Sequence, residues 1–172
     1  MPRRGLLWFS LVFYFLIFIE DRFLKYYVEC HVVPSCPWDV FYPYGGIGIM
    51  QGLFGGIDFS INHVTNRGAA WGVLANVHSV LLIVRCILVF GMVGYLLFFR
   101  QSAFKKMALG LIATGALGNI VDDFLYGHVI DMFHFKFWGY SFAVFNIADS
   151  AIFVGVVLMM CAPYVQKKWK LA

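Results

Sequence analysis

Apolar residues fill this chain in long blocks rather than in short alternating runs. Four blocks approach the roughly 20 residues an α-helix needs to cross hydrocarbon: about 5–28, 78–99, 104–121 and 145–165. In the first, the unbroken apolar run Leu6 to Ile19 follows Arg3 and Arg4, which is also the pattern of a secretory signal peptide. Glu20, Asp21 and Arg22 then stand where small cleavage-site residues would be. Apolar character resumes through Phe23, Leu24, Tyr26, Tyr27 and Val28, so the block is read as a retained span. Two stretches between blocks differ in kind. Residues 29–72 contain Pro34, Pro37 and Pro43 and a run of glycines from Gly45 to Gly56, which break helices and mark turns. Within them Ile57 to Ile61 alternates apolar and polar, as a half-buried strand does. In residues 122–144, Phe133, Phe135 and Phe137 alternate with His134 and Lys136. If that strand continues backward, Asp131 shares the face of Val129 and Phe133. The pattern predicts a mainly α, integral membrane protein: four transmembrane helices and a small β-rich extracytoplasmic platform, in one domain over residues 1–172.

Composition supports the bilayer. The chain is 62% hydrophobic and 13% charged with a mean hydropathy of +0.80, against about one quarter charged for soluble domains. Trp8, Trp71, Trp138 and Trp169 suit a role as interface anchors. Charge then orients the spans. Arg3 and Arg4, then Arg100, Lys105 and Lys106, then Lys167, Lys168 and Lys170 all fall on one side if there are four spans, and the positive-inside rule makes that side cytoplasmic. Both termini are then cytosolic, and every acidic residue from Glu20 to Asp149 lies at or beyond the opposite face. The net charge of +4 follows from this topology and is no argument for nucleic acid. Cys86 and Cys161 lie in spans as small apolar residues. Cys30 and Cys36 lie on the outer side, where disulfides persist, and a bridge between them is left open.

Two residues stand out against this background. Asp131 and Asp149 sit among aromatic and aliphatic neighbours, and an ionisable group at the edge of hydrocarbon costs a few kcal/mol, which makes it a functional-site hypothesis. Two carboxylates brought together share one proton; the ionised member can then take a proton from water while the protonated one polarises a carbonyl. The plainer alternative is a pair of outer-end helix residues or halves of ion pairs. Asn146, three positions before Asp149, either shares its helix face or caps the helix, and the small Ala148 and Ser150 leave room for a peptide. Asp21 and Lys25, four apart in the first span, are placed to pair, with a structural role. Asn66, Arg67 and Gly68 offer an amide and backbone donors to an extended substrate, or form a turn. Asn119 follows Gly115 and Gly118, whose smallness permits close helix packing, and Asp122 reads as structural. Arg85 is expected to snorkel outward or to pair with Asp122 or Asp123. The spacing of His128, Asp131 and His134 suits neither a strand face nor a zinc-helix signature, so no metal is expected there.

Five pieces, in order, resemble the lipoprotein signal peptidases (signal peptidase II), the membrane aspartyl peptidases of bacteria. They are Asp21-Arg-Phe-Leu-Lys25, Asn66-Arg-Gly-Ala-Ala-Trp-Gly72, Thr114-Gly-Ala-Leu-Gly-Asn-Ile-Val-Asp122, Gly127-His-Val-Ile-Asp131 and Phe145-Asn-Ile-Ala-Asp-Ser150. The resemblance implies an aspartic endopeptidase that cuts a signal peptide just before a diacylglyceryl-modified Cys, with Asp131 and Asp149 as the catalytic dyad. It further implies that Asn66, Arg67, Gly68, Asn119, Asn146 and Ala148 bind substrate or support the site, and that Asp21, Lys25 and Asp122 are structural polar residues. No cofactor or metal is implied. The implied partners are lipid-modified prolipoproteins and membrane lipids, with cyclic peptides of the globomycin type as inhibitors. The expected setting is the bacterial inner membrane, as a monomer with its active site at the outer face. Three departures stand out: Leu24 replaces a hydroxyl residue, Thr114 a Gly, and Asp123 the Arg that usually follows Asp122. Arg67 and Arg85 are the candidates to restore that cation. Two rivals remain open at this stage: a small polytopic transporter with the carboxylates as an ion relay, and a member that binds lipoproteins without cutting them.

Overall fold

The computed structural model describes residues 3–36, 38–68 and 78–170. Pro37 and the Ala69 to Gly72 part of the second motif, Trp71 included, lie outside the described residues, as do the side chains of Arg3, Arg4, Lys167, Lys168, Trp169 and Lys170. Four long helices form where the apolar blocks lie: α1 (Arg3–His31), α2 (His78–Phe98), α3 (Ala103–Tyr126) and α4 (Ile147–Lys170). Among the described residues α2, α3 and α4 are long and apolar enough to cross a membrane. The fourth expected span, α1, has the length, but Glu20, Asp21, Arg22 and Lys25 interrupt its C-terminal half, and length with hydropathy does not single it out. Large apolar side chains such as Phe9, Phe15, Ile87, Phe90 and Phe153 are exposed on the helices, as expected of surfaces that meet lipid rather than water.

Helix ends carry local signals. Ser102 caps α3, its hydroxyl accepting the Lys105 N–H at 3.3 Å. Gly127 ends α3 in the left-handed conformation, φ 73°, its N–H donating to the Asp123 carbonyl. α3 therefore runs to Tyr126, past the expected 121, because apolar character was lost at Asp122 and Asp123 while helical hydrogen bonding was not.

The platform is one antiparallel sheet in the order β1-β2-β3-β4, with β1 at Ile47–Leu53, β2 at Ile57–Asn66, β3 at Val129–Phe137 and β4 at Tyr140–Ser141. The expected strands at 57–61 and 129–137 are present and pair with each other, Val64 opposite Asp131. β1 is a correction, since the stretch Gly45 to Gly56 was read as turns. It is exposed along its whole length, so no alternation marked it. Trp138 and Gly139, both at positive φ, close the β3–β4 hairpin in a two-residue turn.

β3 has two working faces. Ile130 and Met132 pack on Val28 and Val32 of α1 in the buried core. Val129 and Asp131, on the alternate positions, line a cavity toward α4. Below the sheet, α3 and α4 approach closely: a methyl at Gly115 would meet the Ala148 carbonyl oxygen at 2.2 Å, and one at Gly155 the Ala108 carbonyl oxygen at 2.7 Å. The small residues of α3 are thus packing residues, as expected.

Candidate active site

Strand β3 carries Asp131, and the first turn of α4 carries Asp149. Both line one cavity of about 650 Å³, together with Asn66, Gly68, Asn119 and the apolar Phe145, Ile152 and Phe153. Asp131 and Asp149 reach one cavity because β3 ends in a hairpin whose return strand, β4, leads through residues 142–146 into α4.

Asn146 joins the two acids. It stands one residue before α4, and its Oδ1 accepts the Asp149 N–H at 2.8 Å, while the Asp149 carboxylate accepts the Asn146 N–H at 3.3 Å. This is a reciprocal capping box, and it draws the acid to the positive end of the helix dipole. The same side chain donates from Nδ2 to Asp131 Oδ1 at 2.7 Å. Asn146 is therefore both the cap and a partner of Asp131, and it lies outside the helix rather than on its face. The other Asp131 oxygen accepts from Asn66 Nδ2 at 3.0 Å; Asn66 also takes the Gly68 N–H on Oδ1 at 2.9 Å, forming a tight turn at the end of β2. Burial, and after it the negative charge of Asp149, push the Asp131 carboxyl up to about 7.

Behind the acids lies a network of charges. Lys25 is wholly buried, and its ammonium meets Asp21 at 2.9 Å, Asp122 at 2.7 Å and the Asn119 Oδ1 at 2.9 Å. Arg22 adds a second cation to Asp122. An ammonium has only donors, so it must take the amide oxygen of Asn119; the NH2 group is left for Asp149 Oδ1, at 2.8 Å. Lys25 thus sets which way Asn119 points. Asp21 also accepts the Ala148 N–H at 2.9 Å, tying α1 to the start of α4.

Most sequence expectations converge here, with shifts in role. Asp21, Lys25 and Asp122 form the buried network. Ala148 is buried against α3 and does not open onto the cavity, so its small side chain serves helix contact; Ser150 lines the cavity instead. Arg67 is exposed. Arg85 does not snorkel: it donates to Asp123 at 2.8 Å and to the Gly68 carbonyl at 2.8 Å, so a cation from α2 stands beside the acid that replaced an Arg. His134 pairs with Ser141, apart from Asp131. Cys30 and Cys36 are both free thiols. Arg22 and its bond to Asp122 were missed, although a second cation beside Lys25 in a helix this apolar was itself a signal.

The model of the signal peptidase II family matches residues 13–165. A lipoprotein signal peptidase of Chlamydia pneumoniae is 35% identical over 117 residues, 67% of this chain and 70% of that protein. One of Staphylococcus aureus is 38% identical over 98 residues, 56% of this chain and 60% of that protein's length. Two solved structures, each described as a bacterial membrane enzyme obtained by the in meso method, superpose with TM-scores of 0.74 and 0.71 at 26% and 28% identity. They cover 92% and 89% of this chain, and 88% and 90% of their own. A match over nearly the whole chain decides the matter: this membrane-embedded chain belongs to the signal peptidase II family.

Proposed function

We propose that this protein is an aspartic endopeptidase that removes the signal peptide from diacylglyceryl-modified prolipoproteins, cutting before the lipidated Cys. The observation that carries the reading is the meeting of Asp131 and Asp149 on one apolar-walled cavity, each held by neutral amide donors. We assign the shared proton to Asp131, whose carboxyl is pushed up to about 7 by burial and then by the charge of Asp149. Asp149 then takes a proton from water as the hydroxyl adds to the scissile carbonyl carbon, while Asp131 gives its proton to the carbonyl oxygen. Collapse of the tetrahedral adduct breaks the C–N bond. The departing amine takes the proton from Asp149, and Asp131 recovers its own from the adduct's hydroxyl. Asn66 and Gly68 orient the peptide, and the apolar wall formed by Phe145, Ile152 and Phe153 takes the acyl chains. The setting is the bacterial inner membrane, crossed four times with α1 included, both termini in the cytosol and the cavity at the outer face.

The test is gel-shift processing of a diacylglyceryl prolipoprotein by purified protein. Wild type should cleave it and be blocked by a cyclic peptide of the globomycin type. Asp131→Asn and Asp149→Asn should each lose at least about 10³-fold in rate, the upper part of the range for a removed general acid or base, with an unchanged melting temperature in detergent. Retained cleavage by either variant ends the dyad reading, and ion flux without cleavage would favour a transporter.

A further inference from the structure

A second cluster lies on the far side of the β2–β3 ladder from the cavity. Glu29 near the end of α1, His63 on β2 and His128 just after the Gly127 cap of α3 bring three donor atoms within 4.8 Å of one another. None of the three lines the active-site cavity. His63 is 4% exposed, and its ring Nδ1 lies 2.9 Å from the Val32 carbonyl oxygen. A carbonyl only accepts, so Nδ1 carries the proton and Nε2 presents a lone pair. That lone pair faces Glu29 Oε2 at 3.1 Å. Glu29 Oε2, His63 Nε2 and His128 Nε2 are all buried without a hydrogen-bond partner among the described residues.

Three candidate ligand atoms converge with no hydrogen-bond partner among the described residues, and a positive centre between them would satisfy all three. A proton on His63 would serve Glu29 but leave His128 unsatisfied. A metal ion serves all three. We propose that Glu29, His63 and His128 form a binding site for a divalent transition-metal ion, with zinc as the ion best suited to two imidazoles and a carboxylate. Donors held about 2 Å from a tetrahedral zinc lie about 3.3 Å apart; the Glu29–His63 pair already has that spacing, and His128 reaches it by a small side-chain movement. The hydrogen bond from His63 to Val32 is the kind of backbone contact that fixes the tautomer of a metal-bound histidine. The bound ion would fasten the end of α1 to β2 and to the α3–β3 junction, clamping the two strands that position Asn66 and Asp131.

The experiment does not depend on the peptidase reading. Tag-free full-length protein in detergent, stripped with a chelator, is titrated with zinc chloride by calorimetry and with cobalt chloride by visible absorption. The expected result is one zinc per chain, a raised melting temperature, and visible cobalt bands of a four- or five-coordinate site. Glu29→Gln and His128→Ala should each weaken zinc binding about 100-fold or more, at least the loss typical of disturbing a metal site's supporting contacts. Wild type that binds no stoichiometric zinc and gives no cobalt bands overturns the proposal, whether or not the variants fold. So does binding by both variants with wild-type affinity.

Discussion

Two groups of carboxylates flank Asn119 and are treated oppositely. Asp21 and Asp122 face cations directly, Lys25 between them and Arg22 on Asp122. Asp131 and Asp149 face Asn66, Asn119 and Asn146 instead. The first group is a balanced cluster of two anions and two cations, in which protonating either acid would leave a buried cation short of a partner. The second is held by neutral donors, which orient the acids without neutralising them. The Asp131 carboxyl so placed is pushed up to about 7, first by burial and then by the charge of Asp149. Residue type is the same in both groups, so the partners make the difference: cations fix the first pair, and neutral amides hold the second for the chemistry proposed above. Asn119 connects the two, oxygen to Lys25 and NH2 to Asp149.

The largest expected effect follows from the balanced group. Lys25→Met removes a cation from two buried acids and should destabilise the protein by about 3–5 kcal/mol, as breaking a buried ion pair does, with a clear fall in melting temperature and loss of yield in detergent. If Lys25→Met is as stable as wild type, the network is not what holds α1 to α3. Next comes the helix contact. Gly115→Val forces side-chain atoms into the Ala148 carbonyl and should cost about 1–3 kcal/mol as an overpacked contact; thermal denaturation measures it, and cleavage should fall with it because Asp149 follows Ala148. Asn119→Leu comes third. It keeps the volume but removes the link, so prolipoprotein cleavage should drop by about 10-fold to 100-fold, from a lost charge-assisted hydrogen bond of about 1.5–3 kcal/mol. Its melting temperature should fall less than that of Lys25→Met.

How far these features could be read from sequence depended on whether the signal was local. The helices announced themselves as apolar blocks. Strands β2 and β3 showed their alternation because one face is buried and the other is not. β1 gave no such signal, since both of its faces are exposed, and its glycines read as turns. Asp131 and Asp149 were legible because a charge among apolar neighbours is conspicuous by itself. What each acid touches stayed between alternatives: whether Asn146 caps α4 or shares its face depends on where the helix begins, within one residue, and Arg85 turns to Asp123 rather than outward because α2 packs beside α3. The cluster of Glu29, His63 and His128 is still less visible, because its members come from three separated segments with no shared spacing.

The smallest expected effect tests the neutral-donor group most directly. The carboxyl of Asp131 is raised to about 7 first by burial and then by the charge of Asp149. Between the ordinary carboxylate value of about 4 and 7, the folded protein therefore holds a proton that the unfolded chain has released, and stability falls as pH rises through that window. In the proposed mechanism the same proton is the one Asp131 supplies in cleavage, so wild-type turnover should decline as pH rises past about 7. Asp149→Asn deletes the second cause and leaves the first. Followed by carboxyl infrared absorption of isotope-labelled Asp131, titration of that variant should move below 7 yet stay above the ordinary range, because the side chain remains 2% exposed. An unchanged midpoint would mean that the two acids do not sense each other, and the dyad would then be two independent carboxylates sharing a cavity.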